Sequence, residues 1–135
     1  MFEEGLKTEK VEVIISKHEA IQFAEALRLD SPLFYDEECA KSFSHPTVLL
    51  APTYPVLFWK KVHIPWLKQI NPLIHAEQHF QYEKPLYIDT SYSVSIQLNR
   101  VIRKTTMTFL EHELSIFDQV KKIARSTTVI ATKEG

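Results

Sequence analysis

The sequence predicts an α+β chain in which helices come first and an antiparallel sheet follows. Three observations carry this. Apolar residues recur at helical spacing from Ala20 to Leu27, behind a capping-box pattern at Ser16-Lys17-His18-Glu19. After Leu73 the period switches to two, with Val94, Ile96 and Leu98 alternating against Ser93, Ser95 and Gln97. Between these patterns, Pro32, Pro52, Pro55, Pro65 and Pro72 punctuate the chain. Helices gathered on one side of a run of strands give the α+β class.

Val11–Ile15 is a short β-branched run and reads as a first strand. The helix behind Ser16 carries Ala20, Ile21, Phe23, Ala24 and Leu27 on its apolar stripe and ends near Arg28. Asp36, Glu37 and Glu38 place acids where the positive end of a second short helix is expected, running to about Phe43. Proline is tolerated in a first helical turn, so Thr53 or Tyr54 to about Lys61 reads as a buried helix. Val62–Asn71 is a connection. Four strands then follow, over 74–84, around Val94–Leu98, over Thr105–Phe117 and over Lys122–Thr132.

At 135 residues, 44% apolar and 24% charged, the sequence reads as one domain, 1–135, of ordinary globular composition. A net charge of −1 gives no reason to expect nucleic acid or an anionic membrane as partner. Glu3 and Glu4 stand where a signal peptide needs a basic region, and no apolar stretch approaches the roughly 18 residues of a spanning helix. With the single cysteine Cys39, this leads us to expect a cytoplasmic protein. The two glycines, Gly5 and Gly135, lie at the ends, so no glycine-rich phosphate cradle or dinucleotide fingerprint exists between them. Nucleotide-dependent chemistry is not expected on that ground, nor is a cofactor or metal; a metal site needs three or more convergent ligands.

The most informative stretch is Ile74-His75-Ala76-Glu77-Gln78-His79-Phe80-Gln81-Tyr82-Glu83-Lys84-Pro85-Leu86. Polar and titratable side chains concentrated on one strand line a site or pair with one another. Even spacing puts His75, Glu77 and His79 on one strand face. His75, Glu77 and Gln78 are therefore candidate site residues.

With Asp30-Ser31-Pro32-Leu33-Phe34-Tyr35-Asp36 and Ala51-Pro52-Thr53-Tyr54-Pro55, this stretch resembles the N-terminal type of MaoC-like dehydratase domain. Thr105–Phe109 and Ala124–Thr127 are similar to that family's closing strands, so the resemblance runs from about Val13 to Ala131. It implies the hot-dog fold, an antiparallel sheet wrapped around a central helix, and the handling of 3-hydroxyacyl thioesters on CoA or acyl carrier protein. In catalytically competent members an Asp-x-Asn-Pro-(Leu/Ile)-His motif supplies base and acid for syn dehydration. Anchored on Pro32, the aspartate position falls on Leu29 and the histidine position on Phe34, both apolar. A one-residue slide brings Asp30 and Tyr35 near those places, but a tyrosine with an ordinary pKa near 10 is a poor base.

The resemblance thus implies a subunit that binds acyl thioesters without its own catalytic pair, as in the non-catalytic subunits of the mycolic-acid dehydratases. Pro52, Thr53 and Tyr54 would face the thioester or its tunnel, flanked by His75, Glu77 and Gln78. A second hot-dog unit, identical or bearing the pair, is the expected partner. Two alternatives stand beside this reading: a self-sufficient hydratase or thioesterase using His75 with Glu77 or Asp30, and a non-enzymatic fatty-acyl-binding module.

Overall fold

The computed structural model describes residues 2–68, 70 and 72–133. Asn71, where the connection from Val62 is expected to end, and Gly135 lie outside the described residues.

Five strands form one antiparallel sheet: β1 (Val11–Val13), β2 (Ile74–Tyr82), β3 (Tyr92–Arg103), β4 (Thr108–Phe117) and β5 (Lys122–Thr132). The order across the sheet is β1-β3-β4-β5-β2, so β2 lies at an edge. Helix α1 (Lys17–Ala26) starts at the expected capping box: Ser16 Oγ accepts from the Glu19 N–H at 3.2 Å, and Glu19 accepts from the Ser16 N–H at 3.1 Å. Helix α2 (Glu37–Ser42) is capped by Asp36, which accepts from the Glu38 N–H at 3.0 Å.

Both helices end in the 6→1, 5→2 closing pattern that commonly recruits glycine, and neither has one. After α1, Leu29 N–H bonds to the Ala24 carbonyl and Arg28 N–H to that of Glu25, with Arg28 left-handed at φ 56°. After α2, His45 N–H bonds to the Ala40 carbonyl and Ser44 N–H to that of Lys41, with Ser44 at φ 69°. Asp89 supplies a third left-handed position, at φ 53°. The glycine-free interior is thus accommodated by left-handed backbone at Arg28, Ser44 and Asp89.

The segment expected as a buried helix is the 3₁₀ helix Tyr54–Lys61. Its bonds span three residues, as from Val56 N–H to the Thr53 carbonyl at 3.2 Å. Eight residues of apolar sequence do not separate a period of 3.0 from one of 3.6, and Pro55 removes one of the few donors that would favour the wider helix. This helix presents Tyr54 and Phe58 to the sheet, where they pack with Ile15, Val94, Ile96, Leu114 and Ile116 in the main core. A second cluster unites Phe2, Leu98 and Leu110. Burying each such side chain contributes roughly 1.5–3 kcal/mol. Along β4, Thr108, Leu110, His112, Leu114 and Ile116 are buried in strict alternation, which defines the core face of the sheet. Among the described residues, no helix is long and apolar enough to cross a membrane.

Candidate functional site

The edge strand β2 is interrupted at Ala76. His75 pairs with Ile130 and Glu77 with Val129, so Ala76 is the extra residue of a bulge. Partners across an antiparallel pair point to the same face of the sheet. Ile130 and Thr128 are buried on the core face, whereas Val129 and Thr127 are half-buried on the outer face. His75 and Gln78 therefore face the core side, and Glu77 and His79 face outward. The expectation that His75, Glu77 and His79 share a face is corrected here: the bulge shifts the parity between His75 and Glu77.

On the core side, His75 and Gln78 line an open cavity of about 440 Å³ together with Val56, Trp59, Leu73, Thr128 and Ile130. Gln78 is the hub of its polar cluster. Its Oε1 accepts from Thr128 Oγ1–H at 2.9 Å and lies 2.9 Å from His75 Nε2, while its Nε2–H donates to Ser126 Oγ. An amide oxygen only accepts, so this arrangement puts the His75 proton on Nε2 and leaves Nδ1 as a lone pair. The cavity is thus mostly apolar with one hydrogen-bonded cluster in its wall, the usual plan of a small-molecule site.

Behind the cavity stands His112, which is wholly buried. Its Nε2 accepts from Trp66 Nε1–H at 2.9 Å with the two rings within 5° of coplanar, and the Trp59 ring meets it edge-on at 5.2 Å. Nδ1 makes no aligned hydrogen bond among the described residues. Burial lowers the pKa of His112 to about 4, against a smaller opposing pull from the Leu110 backbone, so the ring is neutral.

A second, mostly apolar groove of about 320 Å³ lies at the other candidate segment, lined by Phe34, Pro52 and Tyr82 among others. Phe34 belongs to the 3₁₀ turn Pro32–Phe34. Tyr35 lends no base to it, since its hydroxyl donates to the Leu29 carbonyl at 2.7 Å. Asp30 is exposed. Pro52 is exposed and its carbonyl accepts from the Tyr82 hydroxyl, whose pKa is raised by burial. Thr53 is exposed and makes no capping bond. Tyr54 is packed into the core, edge-on to Phe23 at 5.0 Å and tilted against Phe58 at 5.8 Å. Burial, and secondarily the charge of Glu19, raises its pKa. Of the six substrate-binding candidates, His75 and Gln78 come together in one cavity; Glu77 faces outward, and Pro52 lines the other groove.

Glu77 lies 3.9 Å from His79 on the outer face, with both side chains largely exposed. It lines a shallow outer groove with Arg100, Lys104 and Glu111. The pairing of His75 with Glu77 proposed for a self-sufficient enzyme is therefore divided by the sheet. Among the described residues, no three His, Cys, Asp or Glu side chains are grouped to hold a metal ion.

A family model described as "FAS1-like, dehydratase domain region" matches residues 4–125. The chain belongs to this dehydratase family. A curated relative from Saccharopolyspora erythraea, a UPF0336 protein, is 30% identical over 78 residues, which is 53% of this chain and 50% of the relative. The chain spans about half the length of the curated relatives it matches. Among solved structures, the truncated HadBC (3R-hydroxyacyl-ACP dehydratase) complex from Mycobacterium tuberculosis is similar at TM-score 0.85 and 15% identity, over 95% of this chain and 96% of that one. A MaoC-like dehydratase matches at TM-score 0.85 and 11% identity, over 98% of this chain and 42% of that one. These likenesses establish the hot-dog fold for this member of the dehydratase family, with the 3₁₀ segment Tyr54–Lys61 in the place of the expected central helix.

His112 was not among the candidates, although a signal for it exists. It falls in phase with Leu110, Leu114 and Ile116, so its burial follows from the alternation of β4. Its partnership with Trp59 and Trp66, from a connection 46 residues away in the case of Trp66, follows from no local pattern.

Proposed function

We propose that this chain is the acyl-thioester-binding subunit of an (R)-specific 3-hydroxyacyl-CoA or acyl-carrier-protein dehydratase, and that a second hot-dog subunit supplies the catalytic Asp–His pair. The observation that carries this is the cavity beneath the edge strand. A mostly apolar groove with His75, Gln78 and Thr128 in its wall offers surface for an acyl chain and, at His75 Nδ1, an acceptor for a 3-hydroxyl. The His75 Nδ1 lone pair can accept the hydroxyl proton of a bound 3-hydroxyacyl group in a hydrogen bond.

Dehydration needs more than this. A base must remove the weakly acidic proton beside the thioester carbonyl, and an acid must protonate the departing hydroxide, both on one side of the substrate. Leu29 and Phe34 cannot do either, Tyr35 is tied to a backbone carbonyl, and Glu77 is across the sheet from His75. The edge of β2 supports a partner. Among the described residues it pairs on one side with β5, and Leu73 and Val56 at the cavity are exposed apolar residues. The HadBC structure is itself of a two-part dehydratase complex, which is in keeping with this arrangement.

The test is crotonyl-CoA hydration, followed by loss of enoyl-thioester absorbance. It compares the chain alone with the chain co-expressed with a hot-dog subunit bearing an intact Asp-x-Asn-Pro-x-His motif. Turnover in the mixture above that of either subunit alone is expected. Turnover by this chain alone, lost in His75→Ala, would overturn the proposal in favour of a self-sufficient hydratase.

A further inference from the structure

We propose that the connection Val62–Lys68 is a strap over the core face of the sheet, latched by the Trp66–His112 hydrogen bond, and that acid releases it while the sheet stays folded. The bond has one direction. An indole N–H donates and does not accept, so Trp66 Nε1–H closes at 2.9 Å onto a bare His112 Nε2. The proton of the neutral ring is then on Nδ1, beside the Leu110 backbone but in no aligned bond among the described residues. A second proton on the ring sets two N–H donors against each other, and the latch is lost.

The strap leans on this latch more than a strand leans on any one bond. Its backbone bonds around Trp66 are local: Val62 N–H to the Trp59 carbonyl at 3.4 Å, Leu67 N–H to that of Ile64 at 3.1 Å, and Lys68 N–H to that of Pro65 at 3.3 Å. Trp66 packs against both apolar clusters of the core, so its release frees the strap from each. β4, which carries His112, is instead paired along its length with β3 on one side and β5 on the other. Segments with few long-range bonds open at lower free energy than central strands. Trp59 meets His112 edge-on and also lines the His75–Gln78 cavity, so the latch bears on that wall.

Among the described residues, no carboxylate faces His112 to offset the added charge. Leu98 of β3 and Thr128 of β5 are its cross-strand partners, and Leu110 and Leu114 flank it on β4. Trp59 and Trp66 cover it. Glu111 and Glu113 fall on the outer face, while Lys60, Lys61, His63 and Lys68 are exposed. His75 is reached through Gln78 and Thr128. With the strap closed, burial holds the His112 pKa at about 4; with it open, the solvated ring returns toward 6.5. The open form thus binds more protons, and the closed form loses ground as pH falls from about 6.5 through 4.

The experiment is NMR measurement of hydrogen exchange at the Trp66 indole N–H from pH 7 to pH 4.5, referred to free tryptophan, with the backbone N–H groups of Leu114 and Ile116 reporting on the sheet. Strap opening is expected to rise roughly fiftyfold over this range, with Leu114 and Ile116 still protected. In His112→Gln, whose amide oxygen still accepts but takes up no proton, the indole protection is expected to stay flat. If that variant does not fold, the unaltered chain decides: the nitrogen NMR shift of His112 Nε2 is expected to move together with the indole exchange. Loss of indole protection while Nε2 stays bare would overturn the latch, as would the same pH dependence in folded His112→Gln or no change in the unaltered chain. Simultaneous loss at Trp66 and Leu114 would overturn it as well, since acid would then unfold the whole domain.

Discussion

The two faces of the sheet carry similar side chains to different ends. On the core face of β2, His75 and Gln78 are joined at 2.9 Å and continue through Thr128 and Ser126 into the body of the domain. On the outer face, Glu77 and His79 lie 3.9 Å apart with both side chains largely exposed, Glu77 at the groove it shares with Arg100, Lys104 and Glu111. One extra residue, Ala76, decides which pair faces the core-side cavity. The contrast teaches that a titratable residue acquires chemistry here from the face it is turned to. His75 is exposed like the outer pair, so what sets it apart is the connection through Gln78 to Thr128 and Ser126 and not burial of its own.

The strongest test of the contrast removes what holds the core face in place. Phe58 is wholly buried beneath it. Phe58→Ala is expected to cost about 3–5 kcal/mol in urea-induced unfolding, since the cavity adds to the lost transfer energy. A cost like that of an exposed residue would mean that the 3₁₀ helix does not seat the core.

Acid comes next. His112 titrates at about 4 when folded and near 6.5 when unfolded. The unfolded chain thus binds more protons between these values, so stability falls as pH falls from about 6.5 through 4. The loss from this one group approaches about 3 kcal/mol below that window. Urea unfolding at pH 7 and pH 4.5 is expected to show it, and His112→Gln is expected to flatten the curve. An equally steep fall in the variant would place the acid sensitivity elsewhere.

Gln78→Ala is expected to cost less, about 1–2 kcal/mol, because it strips acceptors from Thr128 and His75 at a half-buried site. It should also weaken acyl-CoA binding measurably by titration calorimetry. Glu77→Ala, its neighbour on the other face, is expected to change stability by less than about 0.5 kcal/mol and to leave acyl-CoA binding unaltered. Similar effects from these two substitutions would erase the distinction between the faces.

Much of the fold was legible because its signals are local. The Ser16–Glu19 box, the Asp36 cap and the alternation of β3, β4 and β5 each depend on residues within a few positions of one another. The winding of Tyr54–Lys61 was not legible, since eight apolar residues satisfy either helical period. At the candidate site, the placing of the polar residues His75 and Gln78 on a strand could be read from the sequence. Their separation from Glu77 could not: Ala76 is neither glycine nor proline and gives no mark of a bulge. The resemblance implies a ligand-facing Tyr54, while its contacts with Phe23 and Phe58 depend on how α1 and the 3₁₀ helix meet in space. The same holds for the His112 contacts, where the phase of β4 gives burial and only tertiary packing gives Trp59 and Trp66.

The most direct test of the central claim is an amide and imidazole NMR titration of the full chain with butyryl-CoA. The account expects shifts at His75, Gln78, Thr128 and Trp59, with Glu77 and His79 unmoved. Shifts concentrated instead on the outer face, at Glu77, Arg100 and Lys104, would contradict it.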